Sequence, residues 1–406
     1  MTEHDAAVTA VRLTTATLEG MSERSIASYA REIKPLLCKG VFKPSRSRLC
    51  WLPAHLVLIT LSLCALVRHW LPWPLLPISS AIIGMSFAGL TFLAHETLHG
   101  AVVRGALLRQ LVGFIGFLPF VVSPRLWHAW HNRVHHGNTQ RAATDPDAYP
   151  TLVAYQESRA VRLATALSPG RRRIRGLFTL LVGFSVQSSH MLLVARRRGF
   201  LSRTEHVRAI AETSLGLALW ASLAAWTGFV PFLFGCAVPL LLANSIVMSF
   251  ILTNHSLSPL TAINDPLLNS LTVTTPRWLQ WLTLGFGFHV EHHLFPAMSA
   301  RHAPQVGAVL ARLWPSKYQS MSLLRATLAL HQSPRVYEHD TTLVDPGSGV
   351  HWPTLGAELT PEPASVIDSE RDRTPFFLAR RSTLRLRSPG SRRAAGSGVH
   401  TRSVRQ

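Results

Sequence analysis

Long apolar stretches dictate what this 406-residue chain can fold into. Residues 51–73 are broken only by His55 and the Arg68–His69 pair, and after Pro74 and Pro77 a second run covers 78–94. A later pair, 210–228 and 231–253, turns at 228–231. Each arm is close to the ~20 residues a helix needs to cross hydrocarbon. Two further stretches, 106–122 and 177–195, are less decisive. The first carries Arg109, and the second contains Gln187, Ser188, Ser189 and His190. Charged residues make up only 15% of the chain, against ~25% of an ordinary soluble domain, which excludes a disordered or coiled-coil protein and points to lipid.

Charge sorts these stretches. Lys34, Lys39, Lys43, Arg46 and Arg48 precede the first run, so the positive-inside rule places the N-terminus in the cytoplasm. Residues 123–176 carry nine Arg against three acidic residues, and Arg196, Arg197, Arg198, Arg203 and Arg208 follow 177–195. Both flanks read as cytoplasmic, so 106–122 and 177–195 are expected to dip into or lie on the membrane. The expected fold is all-α and integral to the membrane: about four transmembrane helices in two hairpins, with interfacial helices and a cytoplasmic helical cap. Residues 1–50 form a cytoplasmic N-terminal segment without the pattern of a cleavable signal. The membrane domain is 51–340. From 341 to 406 Pro, Ser, Gly and Thr are frequent and 371–405 includes ten Arg, which reads as a disordered basic tail. Of 41 basic residues only four are Lys, a bias that is poor evidence for nucleic-acid binding, and none is expected. Four cysteines exclude a disulfide framework.

The clue to function is the clustering of 20 histidines. Three groups stand out: His95-Glu-Thr-Leu-His99, His131-Asn-Arg-Val-His135-His136, and His289-Val-Glu-His292-His293-Leu-Phe-Pro296. The first continues the helix of the second span, where a spacing of four sets His95 and His99 on one face. His131 and His135 share a face, and His289, His292 and His293 form one stripe. Each group can aim two or three imidazoles at a point just outside the bilayer. Nitrogen ligands without thiolates suit Fe, Zn, Cu or Ni and argue against a structural zinc site. About one His-x3-His pair is expected by chance in a chain of this composition, whereas a His followed two or three residues later by His-His is expected roughly 0.1 times; two such elements occur. His95-Glu96-x-x-His99 is also the H-E-x-x-H signature of zinc proteases, with Glu as base, but one zinc leaves most of the clustered histidines without a role. A histidine-lined metal transporter needs ionisable residues near the bilayer midplane, and these groups lie at or beyond the span ends. His128, His55, His69, His190, His206 and His302 read as structural or interfacial.

The ordered set H-x3-H, H-x3-H-H and H-x2-H-H, around two membrane hairpins, resembles the integral-membrane fatty acid desaturase family. Gly287-Phe-His-Val-Glu-His-His-Leu-Phe-Pro296 looks like that family's third histidine box, and Thr253-Asn-His-Ser-Leu-Ser-Pro259 is similar to segments of bacterial acyl desaturases. The resemblance covers roughly 70–320. It implies a non-heme centre of two irons that activates O2 and removes two hydrogens from an acyl chain of a membrane lipid or acyl thioester. It implies as ligands His95, His99, His131, His135, His136, His289, His292 and His293, with His255 as an added ligand and Asn254 acting nearby through water. Ligating histidines need partners for their free ring nitrogen; Glu96, Asn132, Asn138, Asp145, Asp147 and Glu291 are candidates, each equally readable as a loop polar or helix cap.

Two departures carry meaning. The second box has three spacers where many members have two. The third begins with His289 rather than the Gln common in front-end desaturases, and no cytochrome-b5 haem motif is visible, which implies an external ferredoxin or cytochrome-b5-type donor with its reductase. The location implied is a bacterial inner membrane with the active site facing the cytoplasm. Hydroxylation or ketolation of a lipid or carotenoid is the sibling chemistry on the same scaffold.

Overall fold

A computed structural model describes residues 23–171 and 174–357. After a short helix α1 (Ile26–Ile33), two long apolar helices follow, α2 (Trp51–Val67) and α3 (Leu76–Leu98). Pro77 sits in the first turn of α3, where its missing N–H costs no intrahelical bond. Helix α4 (Ala106–Phe117) leads to α5 (Pro124–Trp127), capped by Ser123. Then come α6 (Leu177–Val194), α7 (Arg203–Thr227) and α8 (Val238–His255). The start of α7 is fixed by a capping box in which Ser202 and Glu205 bond each other's backbone N–H groups.

Among the described residues five helices are long and apolar enough to cross a membrane: Arg46–Val67, Trp73–Leu98, Ile174–Val194, Arg203–Thr227 and Phe229–His255. Four were expected; the addition is Ile174–Val194, within the stretch read from its arginine flanks as interfacial. Ala106–Phe120 and Pro124–Asn138 form a pair bent by 100°, the geometry of a broken span or of a re-entrant loop. Leu58 and Leu61 on α2, Leu193 on α6 and Leu217 on α7 stand outward on the surface, a distribution suited to hydrocarbon rather than water.

Helices α3 and α8 form the centre, packed on each other and flanked by α2, α4 and α6. From Gly84 to Leu98 nearly every residue of α3 is buried, so the C-terminal ends of α3 and α8, with His95 and His255, are held rigidly side by side. Small residues permit the close approach. A Cβ on Gly116 of α4 would stand 2.5 Å from the Leu90 carbonyl oxygen and 2.6 Å from Ala94 Cβ on α3, an approach in the manner of membrane helix pairs. Gly116→Val is therefore expected to cost about 1–3 kcal/mol by overpacking, read as a lowered melting temperature in detergent, with disturbed metal uptake because His95 is one residue beyond Ala94.

Outside the apolar helices, α9 (His289–Leu294) and α10 (Ala303–Leu313) pack with α1, while α11 (Leu323–Gln332) packs on α8. Two small sheets depart from the expected all-α fold. Strand β1 (Thr272–Thr274) pairs in parallel with β2 (Ser320–Ser322), and β3 (Tyr337–His339), β4 (Thr342–Val344) and β5 (His351–Pro353) form an antiparallel meander. The meander places ordered structure at 342–353, inside the stretch read as tail; residues 358–406, like 1–22, lie outside the described residues. Strand β1 serves the site directly: Val273 N–H bonds the Gly287 carbonyl at 2.9 Å, and Thr272 Oγ1 accepts from Val290 N–H at 3.3 Å.

Candidate metal centre

Four elements bring the histidines together. His95 and His99 stand one turn apart at the end of α3, and His255 ends α8. His289, His292 and His293 line one face of α9. The second group sits on a wide π-type turn, His128–His135, continuing from α5. Such turns carry an extra residue and gather at functional sites. Here the turn absorbs the third spacer of the box: His131 and His135 stack with ring centroids 5.0 Å apart, while His131 and His136 bring their Nε2 atoms to 3.2 Å.

The nine rings form one continuous array. His131 Nε2 lies 3.2 Å from His95 Nε2, and His136 Nε2 lies 3.1 Å from His292 Nε2. On the other side, His289 Nε2 is 2.8 Å from His255 Nε2 and 3.2 Å from His293 Nε2. Among the described residues three groups have ligand atoms mutually within 4.8 Å: His95, His99, His131 and His292; His135, His255 and His293; and His131, His135 and Asp147. Rings His136 and His293 stack between the first two at 4.3 Å. Nitrogens bound at ~2.1 Å to one metal stand about 3.0–3.4 Å apart, the spacing seen here.

Hydrogen bonds fix which nitrogen carries the proton. His255 Nδ1 faces the Asn269 carbonyl at 3.1 Å, and His135 Nδ1 faces Asp145 Oδ1 at 2.9 Å and Asp147 Oδ2 at 3.4 Å. Both must donate. His293 Nδ1 lies 3.2 Å from Thr139 Oγ1, whose own hydrogen goes to the His135 carbonyl at 2.9 Å, so His293 also donates. His255 and His293 therefore point a bare Nε2 lone pair into the cluster, the tautomer a metal ligand requires; for His135 burial is outweighed by Asp145 and Asp147, which push its imidazole up to about 9, so a metal takes its Nε2 by displacing a proton. Burial, reinforced by the neighbouring imidazoles, holds His289, His292 and His293 well below the ordinary value, so they too are neutral. His99 Nε2 is buried with no hydrogen-bond partner among the described residues. Paired lone pairs and an orphaned ring nitrogen are what a cation would satisfy, and the donor set fits iron.

The carboxylates divide sharply. Asp145 accepts from His135, from Gln140 N–H at 2.8 Å and from Asp147 N–H at 3.0 Å. Burial alone would push its carboxyl up, but the His135 imidazole brings it below the usual range. Burial raises Asp147, whose Oδ1 accepts from Trp130 Nε1 at 2.9 Å and Gln187 Nε2 at 2.7 Å. Glu96 touches no histidine. It bonds Ser299 Oγ at 2.5 Å and Ala300 N–H at 3.0 Å, with Arg48 3.7 Å away. Glu291 turns to Thr272 and Tyr318 at 2.7 and 2.5 Å, and burial raises its carboxyl. Asn132 and Asn138 bond backbone carbonyls of Leu98 and Val134. The Asn254 side chain is buried beside His255 with both amide atoms lacking a hydrogen-bond partner among the described residues. Thr139 and the Asn269 carbonyl were absent from the sequence candidates; only their cross-chain contacts reveal them.

A narrow cavity lies against the array, walled by Phe92, Phe117, Phe184, Val247 and Ile251 and by His95, His131, His255 and His289. Apart from the imidazoles, its polar lining is Thr91, Asp147 and Gln187, so its mostly aromatic and aliphatic wall suits an alkyl chain presented edge-on to the cluster.

The chain is similar to several known proteins. The chain is 23% identical over 257 residues to the chloroplastic omega-6 fatty acid desaturase of Spinacia oleracea, covering 60% of this chain and 55% of the spinach protein. It is 25% identical over 307 residues to the sn-1 oleoyl-lipid 12-desaturase of Synechocystis, covering 72% of this chain and 84% of that one. The corresponding enzyme of Anabaena variabilis is 24% identical over 299 residues, covering 66% and 77%. The chain thus spans just over half the length of the spinach relative and more of the cyanobacterial ones. The family profile described as fatty acid desaturase matches residues 68–325, a stretch that takes in all three histidine groups and His255, and the chain belongs to the fatty acid desaturase family.

Proposed function

We propose that this protein is an O2-dependent acyl desaturase of the membrane, with two non-heme irons held by His95, His99, His131, His135, His136, His255, His289, His292 and His293. The observation that carries this reading is the convergence of bare Nε2 lone pairs beside an apolar cavity. The overall reaction balances as –CH2–CH2– + O2 + 2e⁻ + 2H⁺ → –CH=CH– + 2H2O, with the electrons drawn from an external ferredoxin or cytochrome-b5-type donor. The irons, when bound, supply the oxidising power that an unactivated C–H bond demands.

The chain's own part is positional. Asp145, the Asn269 carbonyl and Thr139 hold three rings in the required orientation. Phe92, Phe117 and Phe184 present the acyl chain to the array and keep water out. Glu96 turns its carboxylate to Ser299, Ala300 and Arg48 rather than to the histidine array, which speaks against its serving as the base of an H-E-x-x-H protease.

Topology follows from parity. The histidine groups meet, so the chain must cross the bilayer an even number of times between His136 and His255. Of the three apolar helices in that interval, α6 is the one we read as kept to a single side. Its start packs near Pro169, and just beyond its end the Phe200 carbonyl bonds Arg133 at 3.1 Å, both on the side of the site. Helices α2, α3, α7 and the segment ending in α8 then make four spans, with the arginine-rich face and the site in the cytoplasm; the membrane fitting that orientation is a bacterial inner membrane.

The test is expression of the full chain in a bacterial host, with fatty acid methyl esters compared to those of a vector control. New double bonds are expected. New hydroxyl or keto groups would mark the sibling chemistry instead, and an unchanged profile from protein carrying about two irons would overturn the reading.

A further inference from the structure

A second cavity, of about 600 Å³, opens where α2 begins and where 277–285 approaches 300–304. Its size is that of a small-molecule site. Arg48, Arg277 and Arg301 line it, and among the described residues no carboxylate does, although Glu96 stands behind Arg48 at 3.7 Å. Arg48 is set in place by the Leu284 carbonyl at 2.9 Å, and Arg301 Nη1 donates to Ser47 Oγ at 3.4 Å; Arg277 is exposed at the rim. Trp51 and Trp281 meet edge to face at 4.3 Å on one wall, and Trp281 and the nearby Trp278 are 65% and 63% exposed. Exposed tryptophans at the head of a membrane helix mark the depth of lipid head groups.

This cleft shares walls with the spaces that lead toward the centre. Leu284, Gly285 and Ala300 also wall a smaller cavity that reaches His95 and His292. That cavity in turn shares Phe92, His95 and Phe286 with the apolar cavity against the histidine array. Three neighbouring spaces thus share walls: cationic at the membrane surface, narrow and lined in part by Glu96 at the neck, and mostly apolar at the metal site. A molecule that fills them has an anionic head and a long alkyl chain.

We infer that the Arg48–Arg277–Arg301 cleft seats the phosphate of a glycerophospholipid whose acyl chain passes the Leu284–Gly285–Ala300 neck to the histidine array. This rests on the acyl-desaturase reading and specifies its substrate class. Guanidinium groups bind phosphate oxygens by paired charge-assisted bonds, and the exposed tryptophans place the opening at the bilayer surface, where a lipid arrives without leaving the membrane.

The experiment measures binding of dioleoyl-phosphatidylglycerol, dioleoylglycerol and oleoyl-CoA to the full chain in detergent by native mass spectrometry. The phospholipid is expected to bind on the order of tenfold more tightly than dioleoylglycerol, the difference of about one to two charge-assisted hydrogen bonds. R277Q/R301Q should lose that preference while its dioleoylglycerol binding stays unchanged. If the double variant does not purify, R277Q alone, altered at an exposed rim position, should lose part of it. Equal binding of the two lipids, a preference untouched by these variants, or tighter binding of oleoyl-CoA at this cleft would each overturn the inference. Product analysis in vesicles separates the two readings. Desaturation without head-group preference sinks the cleft and leaves the enzyme; preference without desaturation does the reverse.

Discussion

His292→Ala should leave the protein inserted and folded, lower its iron from about two per chain to about one, and abolish product formation. His292 joins the rings contributed by separate helices. Its Nε2 is 3.1 Å from that of His136, and its ring centroid is 4.6 Å from those of His95 and His99. Without it, His95, His99 and His131 retain three nitrogens facing a gap that water fills. The loss of turnover should be on the order of 10³-fold or more, because groups that act as a unit fail as a unit. Folding is protected because α9 is anchored elsewhere, by Val290 and Leu294 in the core with Tyr29, Ile33 and Leu267. The checks are metal content by mass spectrometry, melting temperature in detergent, and lipid analysis, with His190→Ala on the exposed face of α6 as the matched substitution. Full activity in His292→Ala would remove His292 from the ligand set.

The histidine groups were legible because each lies on one local segment, where spacing alone decides which rings share a face. His255 was not: a single histidine at the end of an apolar run has no partner in its own segment, and only the family resemblance singled it out. The ring partners were harder still. Asp145, Glu96 and Glu291 had equal standing as carboxylates near histidines in sequence, yet only Asp145 touches a ring. Glu96 is drawn off by Ser299, 203 positions away, and Glu291 by Thr272 and Tyr318. Thr139 meets His293 across 154 positions, a contact with no local signal. The membrane helices were plain from composition. Whether α6 crosses depends on which side its neighbours occupy, a property of the whole chain that a hydropathy run does not contain. The strands, three residues each, are too short for an alternating pattern to show.

Asp145→Asn is expected to weaken iron binding by about 10–100-fold, the usual cost of removing a carboxylate that orients a ligating imidazole, while Glu291→Gln leaves it unchanged. Both are buried acids near box histidines, so burial and chain position do not distinguish them; contacts do. Asp145 holds His135 Nδ1–H at 2.9 Å and simultaneously pins the backbone at Gln140 and Asp147. The amide keeps the size of the side chain and one accepting oxygen, but it loses the charge that makes the opposite nitrogen of His135 a stronger donor, and its NH2 group faces N–H donors it cannot satisfy. Asp147 provides no full replacement: its Oδ2 stands 3.4 Å from His135 Nδ1, beyond good hydrogen-bond distance, and its Oδ1 anchors it to Trp130 and Gln187. Glu291→Gln instead perturbs the Thr272–Tyr318 brace beneath α9, so its effect should fall on melting temperature and not on metal. Competition against a graded series of iron chelators reads the affinities directly, independent of turnover. Asp145→Asn holding iron as tightly as the unmodified chain, with Glu291→Gln releasing it, would reverse the assignment and make the brace under α9, rather than the carboxylate on His135, the support on which the centre depends.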